Sequence, residues 1–200
     1  MDGLLFYWIS WMIWIIVTFL MPKNKYRNYL AMAILMVIFC SNAVILVNNV
    51  EVYLTIAILY FGSIVAIVNC QNIVKSISKA ICIVFGYVGL LFWEQISPIW
   101  IVIPRTILIP LIGFVLLIIL SDSFQERCVL WCLGLTSGEI IHGLILNSYK
   151  LSEGIGEMAF MDVLIVEIGF LITTTSLLKL KRKIDLFVRS IEEQKKKVNT

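Results

Sequence analysis

The stretch Trp100-Ile-Val-Ile-Pro-Arg-Thr-Ile-Leu-Ile-Pro-Leu-Ile-Gly-Phe-Val-Leu-Leu-Ile-Ile-Leu120, closed by Ser121-Asp-Ser-Phe-Gln-Glu-Arg127, decides the fold. A helix needs about 20 apolar residues to cross a hydrocarbon core about 30 Å thick, and this run has that length with Arg105 as its only charge. Similar runs fill most of the 200 residues and are separated by short polar connectors. Each run is far longer than a barrel strand and lacks alternation, so helices are expected. The expected architecture is all-α: a polytopic membrane helix bundle of seven transmembrane helices. The spans fall at about 4–21, 29–47, 52–68, 78–93, 100–120, 128–146 and 160–178. Residues 1–178 form this domain and 179–200 a basic amphipathic tail. No segment between spans is long enough to build a core of its own.

Charge sets the orientation. The connector after span one, Pro22 to Asn28, carries Lys23, Lys25 and Arg27, whereas Asn48-Asn-Val-Glu51 after span two carries no base. Odd-numbered connectors and the tail hold fourteen of the sixteen Lys and Arg residues; even connectors hold Lys150, and Arg105 lies in a span. Basic segments stay inside, so the N-terminus is expected outside and the C-terminus inside. An odd number of spans agrees, since it puts the two termini on opposite sides.

The first apolar run has no basic residues before it and no small-residue cleavage signal, and it reads as a retained helix. Cys40, Cys70, Cys82, Cys128 and Cys132 fall in spans or at their inner ends, which argues against a disulfide framework. Cys128 and Cys132 lie one turn apart, yet two thiols alone make a poor zinc site. Tyr7, Trp8, Trp93 and Trp100 are expected interface anchors, and Trp8, Trp11 and Trp14 make a packing or lipid-facing stripe and not a cofactor box. Pro98, Pro104 and Pro110 should kink span five or delay its start.

The candidate functional residues centre on Gly134-Leu-Thr-Ser-Gly-Glu-Ile-Ile-His-Gly143, which holds the single histidine of the chain. Glu139 lies about 16 Å from the inner end of span six, and His142 shares its face. Charge at that depth usually faces a bundle interior. Gly134 and Gly138 form a small-xxx-small pair that admits a neighbouring helix. Asp162 and Glu167 lie on span seven and Arg105 on span five. The expectation is a polar cluster of Arg105, Glu139, His142, Asp162 and Glu167 in the outer half of the membrane. Arg105 either snorkels to the outer surface or pairs with Asp162 or Glu167.

Enzyme chemistry is disfavoured residue by residue. Ser137 and His142 are five positions apart on one helix and point away from each other, and no second histidine exists to act as base. Glu139-Ile-Ile-His142 is half of a di-metal carboxylate motif, which requires that motif twice. A site of Glu139, His142 and Glu167 for one cation is the remaining metal alternative; the expectation is no metal and no cofactor. Retinal binding needs a lysine within the last span, and Lys179 is already at its edge. A proton relay through Glu139, His142 and Glu167 competes with a purely structural hydrogen-bond cluster.

The tail from Lys179 puts Ile184, Phe187, Val188 and Ile191 on one helical face with bases around them. It either continues span seven or lies along the inner leaflet, where anionic lipid is the expected partner. Nucleic acid is not expected for so short a patch.

The whole chain resembles the YphA family of small Bacillus membrane proteins. The opening Met1-Asp-Gly-Leu-Leu-Phe-Tyr-Trp-Ile-Ser-Trp-Met-Ile-Trp14 and the following Pro22-Lys-Asn-Lys25 carry the resemblance. It implies a bacterial plasma-membrane location and brings no catalytic residues. The expected function is that of a non-enzymatic multi-pass membrane protein with a structural or interaction role, partnered by the bilayer and by a membrane protein or an oligomer. A small transporter or proton-linked channel is the alternative.

Overall fold

The structure, a computed structural model, describes residues 3–47, 50–70, 72–97, 104–151 and 154–198, with side chains through Arg189. Among the described residues there are seven α-helices: α1 (Leu4–Ile15), α2 (Lys25–Cys40), α3 (Leu54–Ile67), α4 (Ile73–Ile96), α5 (Arg105–Leu120), α6 (Phe124–Ser148) and α7 (Met158–Val198). A π-helical turn, Ile16–Leu20, extends α1. Helices Ile73–Ile96, Phe124–Ser148 and the Met158–Arg189 part of α7 are each long and apolar enough to cross a membrane. Leu4–Leu20, Leu54–Ile67 and Arg105–Leu120 are apolar but shorter. Helix α5 starts directly after Pro104, whose fixed φ suits the position before a first turn. Trp100 and the beginning of span five lie outside the described residues.

One expectation is corrected. Spans two and three were to run as helices over 29–47 and 52–68, but α2 ends at Cys40 and α3 begins at Leu54. Between them, β1 (Val44–Val47) and β2 (Val50–Tyr53) form an antiparallel hairpin, with Val44 opposite Tyr53 and Val47 opposite Val50. Val, Ile and Tyr suit a strand as well as an apolar helix, and a short apolar run does not distinguish the two. The backbone does. Tyr53 N–H donates to the Ile155 carbonyl at 3.0 Å, and Ile155 N–H donates to the Glu51 carbonyl at 2.7 Å. The connection between α6 and α7 thereby pairs with β2 as a short parallel bridge. An unpaired sheet edge is not tolerated against lipid tails, so the hairpin belongs at the end of the bundle and not within its apolar belt.

Helix α6 is the central post. Leu130, Trp131, Leu135, Thr136 and Leu146 on it are all buried. It packs mainly against α4 and α3, and α5 and α1 pack against α7. A Cβ added at Gly134 would lie 2.5 Å from Ile83 Cγ2, and one at Gly138 would lie 2.7 Å from Tyr87 Cδ1. The two glycines are therefore the notch that lets α4 approach α6. Helix α2, with no buried residue, stands at the edge.

Polar contacts gather at both ends. At one end, Lys79 near the start of α4 forms an ion pair with Glu126 near the start of α6 at 2.9 Å, and Ser76 and Ser121 donate to the same carboxylate. The Lys79 ammonium foremost, helped by both hydroxyls, holds the Glu126 carboxyl below the usual glutamate range against a smaller opposing effect of burial. A lowered folded value stabilises the fold above the unfolded glutamate value, about pH 4.3. That contribution is lost as pH falls further, through the lowered value. Thermal unfolding in detergent should show an acid limb below about pH 4.3, and Glu126→Gln should flatten it. Equal acid sensitivity in both proteins would refute the assignment.

Candidate functional site

At the opposite end, α4, α5, α6 and the connection before α7 converge on Glu139. The Tyr87 hydroxyl donates to Glu139 Oε2 at 2.7 Å, both groups being buried. The backbone of Gly156 lies within electrostatic reach of this carboxyl. Gly156 has φ 84°, a left-handed conformation that glycine adopts without steric cost. The notch at Gly138 sits directly beneath the Tyr87 ring. One helix-packing feature thus determines where the phenol reaches the acid.

Arg105, the first residue of α5, brings its Nε to 3.8 Å from Glu94 Oε2 on α4. Its guanidinium also lies within electrostatic reach of Tyr87 and Glu139. His142, one turn beyond Glu139, has its Nε2 3.5 Å from Gln95 Nε2. The Phe92 ring meets its imidazole edge-on, with centroids 5.1 Å apart. Arg105, Glu139, His142, Gly143, Gly154 and Glu157 line a cavity of about 30 Å³. That volume holds a water or two, whereas sites for small organic ligands run to about 300–1,000 Å³.

Three of the five expected cluster residues, Arg105, Glu139 and His142, therefore meet, and two do not. Asp162 accepts hydrogen bonds from the backbone N–H groups of Gly3 and Phe6, at 2.8 and 2.7 Å. It thus caps the first turn of α1 and does not pair with Arg105. Glu167 is fully buried, and neither carboxyl oxygen has a hydrogen-bond partner among the described residues. The expected pairing of Arg105 with Asp162 or Glu167 is replaced by Glu94. Among the described residues, no three His, Cys, Asp or Glu side chains converge as metal ligands, and Glu167 does not join Glu139 and His142 as the third ligand of the single-cation alternative.

Tyr87, Glu94, Gln95, Gly156 and Glu157 escaped the sequence reading. Glu94 and Gln95 sit in a stretch read as a connector, and only the extra turns of α4 turn them towards His142 and Arg105. Tyr87 carried one usable signal, a hydroxyl midway along an apolar run.

Long apolar helices around a buried, internally bonded acid define the class: a helical integral membrane protein. The family follows from comparison. A family model described as YphA-like integral membrane protein matches residues 2–197, and the chain belongs to that family. A relative named Uncharacterized protein YphA, from Bacillus subtilis (strain 168), is 19% identical over 167 residues, 81% of this chain and 81% of its own length. No solved structure matches the chain.

Proposed function

We propose that the protein is a non-enzymatic, seven-span component of the bacterial cell membrane, N-terminus outside, with a structural or interaction role exercised through its basic tail. The observation that carries this reading is the state of the Glu139 cluster. Glu139 and His142 are engaged by partners from the same chain, Arg105 pairs with Glu94 at 3.8 Å although its Nε has no hydrogen-bond partner among the described residues, and the cavity beside them is water-sized. Such an arrangement clasps α4, α5 and α6 together around a cavity far smaller than the sites that hold small organic ligands.

The contacts support the topology. The hairpin joins the connection at Ile155, and the Arg105–Glu94 pair and the N-terminal cap by Asp162 gather at that same end. Lys79, Glu126 and Ser121 gather at the other. Even-numbered connectors thus share one end and odd-numbered connectors the other, as alternating spans require. Positive charge then assigns the odd end to the cytoplasm. Single cysteines placed at Asn48 and Ser123 in a background without the native thiols test this. Asn48→Cys should label from outside and Ser123→Cys only after the membrane is opened.

Two variants test the clasp. Tyr87→Phe should cost about 1–2 kcal/mol of stability, while Glu139→Gln, which keeps an acceptor, should cost less. Neither protein should show proton flux in proteoliposomes above protein-free vesicles. A wild-type flux abolished by Glu139→Gln or His142→Ala would replace this reading with the transporter one. That second reading draws on Glu167, a fully buried acid without a hydrogen-bond partner among the described residues. Such a group lowers stability and is a functional-site candidate by default.

A further inference from the structure

Beyond the bundle, α7 carries a seven-residue repeat. Leu177, Leu180 and Ile184 are 64%, 55% and 53% exposed. Their spacing of three and four assigns them to heptad positions a, d and a. The sequence continues the series with Phe187 at d, Ile191 at a, Gln194 at d and Val198 at a. An ordinary amphipathic helix drifts about 20° per heptad against such a pattern, and a sustained period of seven marks a left-handed supercoil. Three of the four a positions, Ile184, Ile191 and Val198, are β-branched, a choice at a that favours two strands.

We propose that residues 177–198 pair with the same segment of a second copy of this chain as a parallel, two-stranded coiled coil. The proposal rests on the topology proposed above. Copies inserted with one orientation present their tails on one side and in one direction, so a parallel pair is the available geometry. The charges fit it. In a parallel pair, position g faces e of the next heptad on the partner, giving Ser176 with Lys181, Lys183 with Val188 and Ser190 with Lys195. Lysine never meets lysine. Asp185, Glu192 and Glu193 each precede a base by four residues, namely Arg189, Lys196 and Lys197, the favourable order for supporting a single helix. Leu186, at c, is the apolar residue beyond Leu180 that lies away from the seam and its flanks.

The competing occupant of the apolar stripe is an anionic lipid surface. Helix α7 argues against it, because the helix runs unbroken from Met158 to Val198 and no glycine or proline follows Gly169. The tail therefore extends the axis of span seven by about 30 Å past Leu178, away from the bilayer plane. Three heptads alone are marginal in water. Confinement of both copies to one membrane supplies the effective concentration that makes them sufficient.

The test uses the full chain in native membranes, with the five cysteines replaced by serine. Single cysteines go in at Ile184 and Ile191 (position a) and at Arg182 and Arg189 (position f), and mild oxidation follows. Disulfide-linked dimers should form several-fold faster at both a positions than at either f position. Adding Ile184→Asp to Ile191→Cys should reduce cross-linking to the f level. Equal rates at all four positions, or no dimer, overturn the proposal. Labelling of Arg182→Cys by an impermeant maleimide from outside intact cells would refute the topology separately, whatever the cross-linking shows.

Discussion

Replacing Asp162 with alanine is expected to detach the first helix from the bundle. Asp162 is buried near the start of α7, and its two carboxylate oxygens accept separate bonds from the Gly3 and Phe6 N–H groups at 2.8 and 2.7 Å. Those donors belong to the first turn of α1, which has no intrahelical acceptor for them. A negative charge at that end also complements the helix dipole. Bonds to a charged acceptor contribute about 1.5–3 kcal/mol each and are not fully additive, so the loss should be about 3 kcal/mol. Asp162→Asn keeps one acceptor oxygen and should lose about half of that. Hydrogen exchange of the 4–15 amides, with the unfolding midpoint in detergent, reads the effect. Wild-type protection of α1 in Asp162→Ala would show that the cap is dispensable.

Gly113→Ala is expected to be the most damaging single-methyl change in the chain. A Cβ at Gly113 on α5 would collide with the Cζ3 and Cη2 atoms of Trp131 on α6. The tryptophan cannot yield readily, because its ring is 2% exposed and its Nε1–H donates to the Leu164 carbonyl of α7 at 3.2 Å. The collision therefore reaches three helices at once. Overpacking a rigid core typically costs about 1–3 kcal/mol, and the upper end is expected here. Combining Gly113→Ala with Trp131→Phe removes the colliding ring edge, so the double variant should lose less than the sum of the singles. Additive losses would mean that the two residues do not press on each other. The intrinsic fluorescence of the remaining tryptophans follows unfolding in each variant.

Both residues expose the limit of reading the chain linearly. Asp162 was recognisable as a buried acid, since span seven is apolar around it. Its partners, backbone groups 156 and 159 positions away, leave no trace in side-chain chemistry. Gly113 stands in an apolar run where a glycine carries no periodic signal, and its significance comes entirely from the ring that covers it. Gly134 and Gly138 were legible because their spacing alone places them on one helix face. The candidate site divided in the same way. Glu139 and His142 share a face by spacing, whereas their contacts Tyr87, Gln95 and Gly156 come from elements distant in the chain.

The sequence by itself determined a helical membrane protein, because the length and apolarity of a run are local properties that the bilayer thickness converts directly into helices. It also determined a late start for α5 behind Pro104, a glycine notch on α6 and the concentration of basic charge on one set of connectors. Only the tertiary structure decided the rest: that Val44–Val47 and Val50–Tyr53 pair as a hairpin, that Arg105 turns to Glu94 and that Asp162 caps α1. The physical reason is common to all three. Each outcome depends on which distant backbone or side-chain group satisfies a polar atom out of reach of water. That partner is chosen by the packing of α4, α6 and α7, not by the residues on either side.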